Sequence, residues 1–199
     1  MQRVFHRTIN RANIPIAYSQ GFNPHPKTSF ASALPVGQTG ISEWMDIQLD
    51  ENAQMTPDEL AERLNAAAPM GLRVVEAKTA PEGYPSLTAA MQSAEYTAFP
   101  LTELDLNANE MQGKIAEFLS APIMVEKKKK SKGKSVIAET DIRPTILSME
   151  YNAPTIRLTG RLDASGGMNA ELVLQAFSKF AALTTAWQVR RDKIVLLSK

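Results

Sequence analysis

The chain has 199 residues, 44% of them hydrophobic and 22% charged, with a formal net charge of +1 and no cysteine. A length and composition of this kind suit a soluble globular protein of one large or two small domains, and the balanced charge gives no overall basic field, so any nucleic-acid binding has to sit in a local patch. The lack of cysteine excludes disulfides, thiolate nucleophiles and cysteine-ligated zinc or iron–sulfur clusters.

The chain opens on a helical pattern in which Val4, Phe5, Ile9 and Ala12 recur on one side and Arg3, Arg7 and Arg11 fall elsewhere. Pro15 ends it, because Ile14 before the proline is pushed out of the helical region. The charged start, Met1–Arg7, has no apolar run and predicts no signal peptide, and no stretch reaches the roughly 20 apolar residues of a membrane span, so a cytoplasmic protein without a membrane partner is expected. A Gly/Asn/Pro-rich loop from Ser19 to Lys27 leads into an extended segment over 28–34 and a turn around Gly37–Gly40. Met45, Ile47 and Leu49 alternate with Asp46 and Gln48, which predicts a half-buried strand. Thr56-Pro57-Asp58-Glu59 has the capping hydroxyl, early proline and third-position glutamate of a helix start, and Leu60, Leu64 and Ala67 follow as its buried stripe. Pro69 and Gly71 stop that helix, and 72–77 is predicted as a strand.

A connector over 79–93 separates this part from a second run of elements. Strands are predicted over 95–101, 122–128, 134–139 and 155–162, and a helix over 110–119. A further helix buries Leu172, Val173, Ala176, Phe177 and Phe180, and a terminal hairpin pairs 187–190 with 193–197. The strand–helix–strand–strand–helix–strand order is that of a split βαβ unit pair. The expected fold is therefore α+β, with two tandem ferredoxin-like domains over 1–78 and 94–199. The second carries an extra hairpin, and the first lacks its opening strand.

Tyr18–Ser29, with Ala33–Gly37, Met45–Leu49, Leu64–Ala66 and Asp141–Pro144, resembles the radical SAM-linked family of unknown function, over most of the chain and in the same order. Members of that family are fused behind a radical SAM enzyme or occur as separate proteins linked to one. The resemblance thus implies a radical SAM partner, while the missing cysteines leave the cluster on that partner and no cofactor on this chain. Relatives begin with a strand and a His-Leu-Asp entry into the first helix, whereas here Met1 falls within the helix. The expectation is a truncated or misassigned start, or a partner strand in the open slot.

Three motifs carry candidate chemistry. In the loop, Gly21 and Asn23 favour turns, and Pro24 and Pro26 fix the backbone on either side of His25. Tyr18, Gln20, Phe22, Asn23, His25 and Lys27 form a candidate binding surface that stacks bases and meets phosphates, with His25 a candidate general acid or base. The bland alternative is a rigid crossover whose rings plug the core. The basic run from Glu126 to Lys134, including Lys128, Lys130 and Lys132, either neutralises RNA phosphates or is a solvated hairpin tip. Gly133-Lys134-Ser135 lacks the upstream glycine of a P-loop. Asp141 and Arg143, two apart, either bind a ligand or fix the hairpin internally. The leading expectation is an accessory module that binds substrate, with RNA a candidate, for a radical SAM enzyme. The alternatives are a metal-independent RNA-processing enzyme using His25 and a structural partner subunit.

Overall fold

A computed structural model describes residues 2–131, 134–164 and 166–198; for 128–131 and 134–136 it describes the backbone alone. In chain order the first elements are α1 (Gln2–Arg11), β1 (Thr28–Phe30), β2 (Thr39–Gly40), β3 (Met45–Ile47), α2 (Pro57–Ala67) and α3 (Leu87–Ala90). Then come β4 (Met91–Pro100), α4 (Ala108–Leu119), β5 (Met124–Ser131), β6 (Lys134–Asp141) and a 3-10 turn (Arg143–Thr145). The chain finishes with β7 (Ile146–Asn152), β8 (Thr155–Asp163), β9 (Gly166–Gly167), α5 (Ala170–Phe180) and β10 (Trp187–Leu196). The protein is α+β. No helix among the described residues is long and apolar enough to cross a membrane.

Two compact units divide the chain: Met1–Ala31 with Trp44–Leu87, and Ser32–Glu43 with Thr88–Lys199. In the first unit, Ile9 and Ala12 meet Ile14, Ile16 and Leu64 in a small core, with Ile47, Leu49, Leu60 and Val74 against it. Helix α2 starts where the sequence requires. The Glu59 amide donates to Thr56 Oγ1 at 3.2 Å, and the Thr56 amide donates to the Glu59 carboxylate at 2.8 Å. The ladder of this unit is the antiparallel pair β1–β3, extended by a bridge between Ile16 and Leu49. The strand expected over 72–77 is not formed. The Asn65 side chain on α2 takes the place of a neighbouring strand: its amide donates to the Val74 carbonyl at 2.9 Å, and its oxygen accepts from the Val74 amide at 2.7 Å. A side-chain amide carries the same donor and acceptor as a peptide group, so one residue satisfies the backbone that a ladder would have paired.

The second unit is built on a sheet with the order β2-β10-β4-β8-β7, antiparallel throughout except for the parallel pair β2–β10; β9 pairs with β8. Alternation along the strands turns Ala94, Tyr96, Ala98, Ile156, Leu158, Val189 and Ile194 inward, all buried. Met111, Ile115 and Phe118 of α4 and Val173, Leu174 and Phe177 of α5 complete this core, and the Phe118 and Phe177 rings meet edge-on at 5.3 Å. Leu174 is buried where Phe180 was expected; Phe180 is 42% exposed and leans on Phe118.

Further differences from the expected elements appear here. The terminal hairpin is one continuous strand, β10, whose pairing with β4 shifts register between Arg191 and Lys193 and again between Val195 and Leu196. A bulge of this kind absorbs one residue without turning the chain. Strand β7 has no counterpart in the expected elements, and β4 begins at Met91, ahead of the predicted 95. The hairpin β5–β6 forms a two-stranded sheet of its own. Finally, Ser32–Glu43 leaves the sequence-contiguous first half, because β2 hydrogen-bonds to β10.

Gly160 on β8 lies directly beneath Met168, and a Cβ at that position would collide with the Met168 side chain. Gly160→Ala is expected to destabilise the protein by about 1–3 kcal/mol through overpacking, read as a lower urea midpoint with an unchanged slope.

Candidate functional site

The loop between α1 and β1 doubles back on itself. Tyr18 and Pro26 form an antiparallel bridge, the Ser19 amide donates to the His25 carbonyl at 2.9 Å, and the His25 amide donates to Ser19 Oγ at 3.0 Å. The Lys27 amide donates to the Ala17 carbonyl at 2.8 Å, and Gln48 bonds to both stem strands. Gly21 at the tip has φ of 129°, a conformation open to glycine. The core is thus filled without this loop's rings: Tyr18, Gln20, Phe22, Asn23, His25 and Lys27 are all exposed, and Phe22 is wholly in solvent. Cross-strand pairing sets His25 and Lys27 on one side of the stem and Tyr18, opposite Pro26, on the other. The backbone is held by hydrogen bonds while these side chains are exposed.

The two candidates at the base of the hairpin have a different role. Asp141 Oδ1 accepts from the Ile123 amide at 2.8 Å and the Arg143 amide at 2.9 Å. The Arg143 guanidinium donates to the carbonyls of Leu119 at 2.6 Å and Ile146 at 2.9 Å. Each side chain is spent on backbone, tying the end of α4 to the start of β7. Lys132 lies outside the described residues, as do the side chains of Lys128 and Lys130. The backbone places Lys127, Lys128, Lys129 and Lys130 along β5 and not in a turn.

The strongest electrostatic feature was not anticipated. Arg191 on β10 is 2% exposed, the largest fully buried side chain among the described residues. Its Nε donates to Glu43 Oε1 at 2.8 Å and its Nη2 to Glu43 Oε2 at 2.5 Å, a two-pronged pairing. Nη2 also donates to the Ser32 carbonyl at 3.2 Å, while Nη1 reaches Ser32 Oγ only at 3.4 Å. Tyr96 lies beside the guanidinium; burial pushes its phenol above the ordinary range, and the Arg191 charge only partly offsets this. Burial opposes the charged form of Arg191, but its bonds to Glu43 prevail and raise its pKa further. A small cavity of about 180 Å³ adjoins the pair, lined by Gln38, Tyr96, Asn169 and Arg191 among others. The one sequence clue was the alternation Val189, Arg190, Arg191, which leaves one arginine of the pair facing the core only if the terminal strand is continuous.

Arg190 and Asp192 turn the other way. Asp192 accepts from Thr97 Oγ1 and from Arg190 Nε, each at 2.5 Å, and Arg190 lies 5.1 Å from the Phe99 ring. With Glu95, Arg157 and Thr159 these groups line a cleft of about 290 Å³ on the sheet face away from the helices. Its charges are mixed, two basic and two acidic, so it favours neither an anion nor a cation. Among the described residues, no three His, Asp or Glu side chains gather as a metal-binding set.

Arg191→Ala is expected to cost about 3–5 kcal/mol, since it leaves Glu43 without its buried partner. Faster proteolysis within 32–43 would accompany that loss. Tyr96 gives a pH-dependent prediction. A phenol whose folded pKa exceeds its unfolded value of about 10 contributes stability below that pH and loses it as pH rises through the folded value. Tyr96→Phe should therefore flatten the alkaline fall in denaturant midpoint relative to the wild type.

Among curated proteins none matches the chain. Residues 1–176 match a family described as uncharacterized protein conserved in bacteria (DUF2344). That match spans most of the 199 residues and includes the exposed loop, the Glu43–Arg191 partners' first member and the lysine hairpin. The chain belongs to this bacterial family.

Proposed function

We propose that the protein is a cytoplasmic accessory module that binds RNA on behalf of a radical SAM enzyme and carries no cluster of its own. The observation that carries the RNA part is the β5–β6 ribbon. Its strands pair in eight consecutive positions, from Met124 with Asp141 to Ser131 with Lys134, apart from the main sheet. At about 3.3 Å per residue this is an arm some 26 Å long. Five lysines, at 127–130 and 134, belong to it, and Lys132 lies between its two strands in sequence. Like charges crowded on one arm repel each other, and an RNA backbone relieves that repulsion by displacing counterions. Lysine supplies affinity without base readout. The loop from Tyr18 to Lys27 supplies what the arm lacks, exposed rings on a fixed backbone for unstacked bases.

The radical SAM partner rests on the sequence resemblance. The second unit is read as ferredoxin-like, supported by the order β10-β4-β8-β7 with α4 and α5 in the two crossovers. The first unit is read as the same plan without its opening strand, supported by the order α1, β1, β3, α2, with Asn65 pairing Val74 where the closing strand would stand.

The test is fluorescence anisotropy with a labelled, mixed-sequence 20-nucleotide single-stranded RNA across a salt series. The wild type is expected to bind at about 50 mM salt, with log affinity falling linearly against log salt. Replacing Lys127, Lys128, Lys129 and Lys130 by Ala should reduce that slope by roughly 3, at about 0.7 per phosphate contact. No binding by the wild type at low salt would overturn the proposal.

A further inference from the structure

The first helix carries a charge pattern that its own stability does not explain. Arg3, Arg7 and Arg11 are spaced four apart, so they stand in one stripe with about 6 Å of rise between neighbours. All three are exposed, and α1 contains no acidic residue. None of the three forms an ion pair among the described residues; Arg11 only reaches Thr8 Oγ1 at 3.4 Å. Like charges at this spacing destabilise a helix, and Arg3 in the first turn also opposes the helix dipole. A sequence selected for stability alone would break the stripe with a glutamate.

The helix cannot roll to hide or dilute these charges. Its opposite side is fixed by Ile9, which is fully buried, by Phe5 edge-on to Phe30 at 5.0 Å, and by His6 bonded to Thr28 Oγ1 at 3.1 Å. The same packing argues against a membrane as the partner. An interfacial helix inserts its apolar side into lipid, and here that side is occupied by the core. What remains outward on this fixed helix is a row of guanidinium forks, whose shape matches phosphate oxygens two at a time.

We infer that the Arg3–Arg7–Arg11 stripe of α1 is a second phosphate-gripping surface, on the first unit, that takes the sugar–phosphate backbone of RNA. The inference rests on the RNA-binding reading above, and it adds a contact site that the lysine ribbon does not provide.

The decisive variant is Arg3→Gln with Arg7→Gln in the full chain, which leaves the Arg11–Thr8 contact in place. With the same labelled RNA, affinity at about 100 mM salt should fall at least about tenfold, and the log–log salt slope should drop by roughly 1.4, two phosphate contacts at about 0.7 each. The melting temperature should hold or rise, because a repulsion has been removed. A wild-type slope in this variant, while the four-lysine variant has lost its own share, would overturn the stripe and leave the RNA-binding proposal standing. A wild type that binds no RNA sinks both. Lost RNA affinity accompanied by a lower melting temperature or lower helical signal counts against the inference, as does unchanged RNA binding with lost binding to phosphatidylserine vesicles. As a second variant, Arg3→Lys with Arg7→Lys keeps the charge, and should retain the slope while weakening affinity through loss of the forked geometry.

Discussion

A guanidinium out of reach of water must have its charge and its donors answered by the protein, and Arg191 sets that requirement for the second unit. Glu43 answers with both oxygens and Ser32 with its carbonyl, from a stretch 148 or more residues away in sequence. The ion pair does not by itself make the unit more stable than an apolar pair of the same size would. The same segment that brings the Glu43 carboxylate to Arg191 sets Thr39 and Gly40 beside β10. The edge of the sheet is covered as a result, and a small cavity is left where the segment, β4 and the start of α5 come together.

Strand alternation passes that constraint to the other face. With Arg191 inward, Arg190 must point outward, where it leans on Phe99 and holds Asp192. The register shift after Arg191 then returns Ile194 to the core. One strand thus holds a buried ion pair and a half-buried one within three residues. The Gly160–Met168 contact on β8, two strands away, works by shape and not by charge.

The surfaces proposed to meet RNA share a design. The loop displaying Phe22, the lysine ribbon and the arginine stripe of α1 each rest on a backbone fixed by hydrogen bonds or packing. Fixing the backbone beforehand lowers the entropy lost when a ligand binds. Lysines on a ribbon and arginines on a helix also differ chemically, the first acting as point charges and the second as oriented forks.

What the sequence by itself determined is local. Thr56 and Glu59 fixed the start of α2, alternation marked β3 and β8, and the loop's glycine and prolines announced a stiff turn, because each of these depends on neighbours within a few residues. The lysine run was likewise readable as charge on a hairpin, and the arginine spacing as charge on a helix. The tertiary structure alone decided the rest. It replaced the strand expected at 72–77 with an asparagine side chain, made the terminal hairpin a single strand, moved Ser32–Glu43 to the second unit, and spent Asp141 and Arg143 on backbone. In each case the deciding partner is distant in sequence or is a group whose burial depends on the assembled sheet. No local pattern can state which of two adjacent arginines will face water; that follows from the register of a strand against its neighbour.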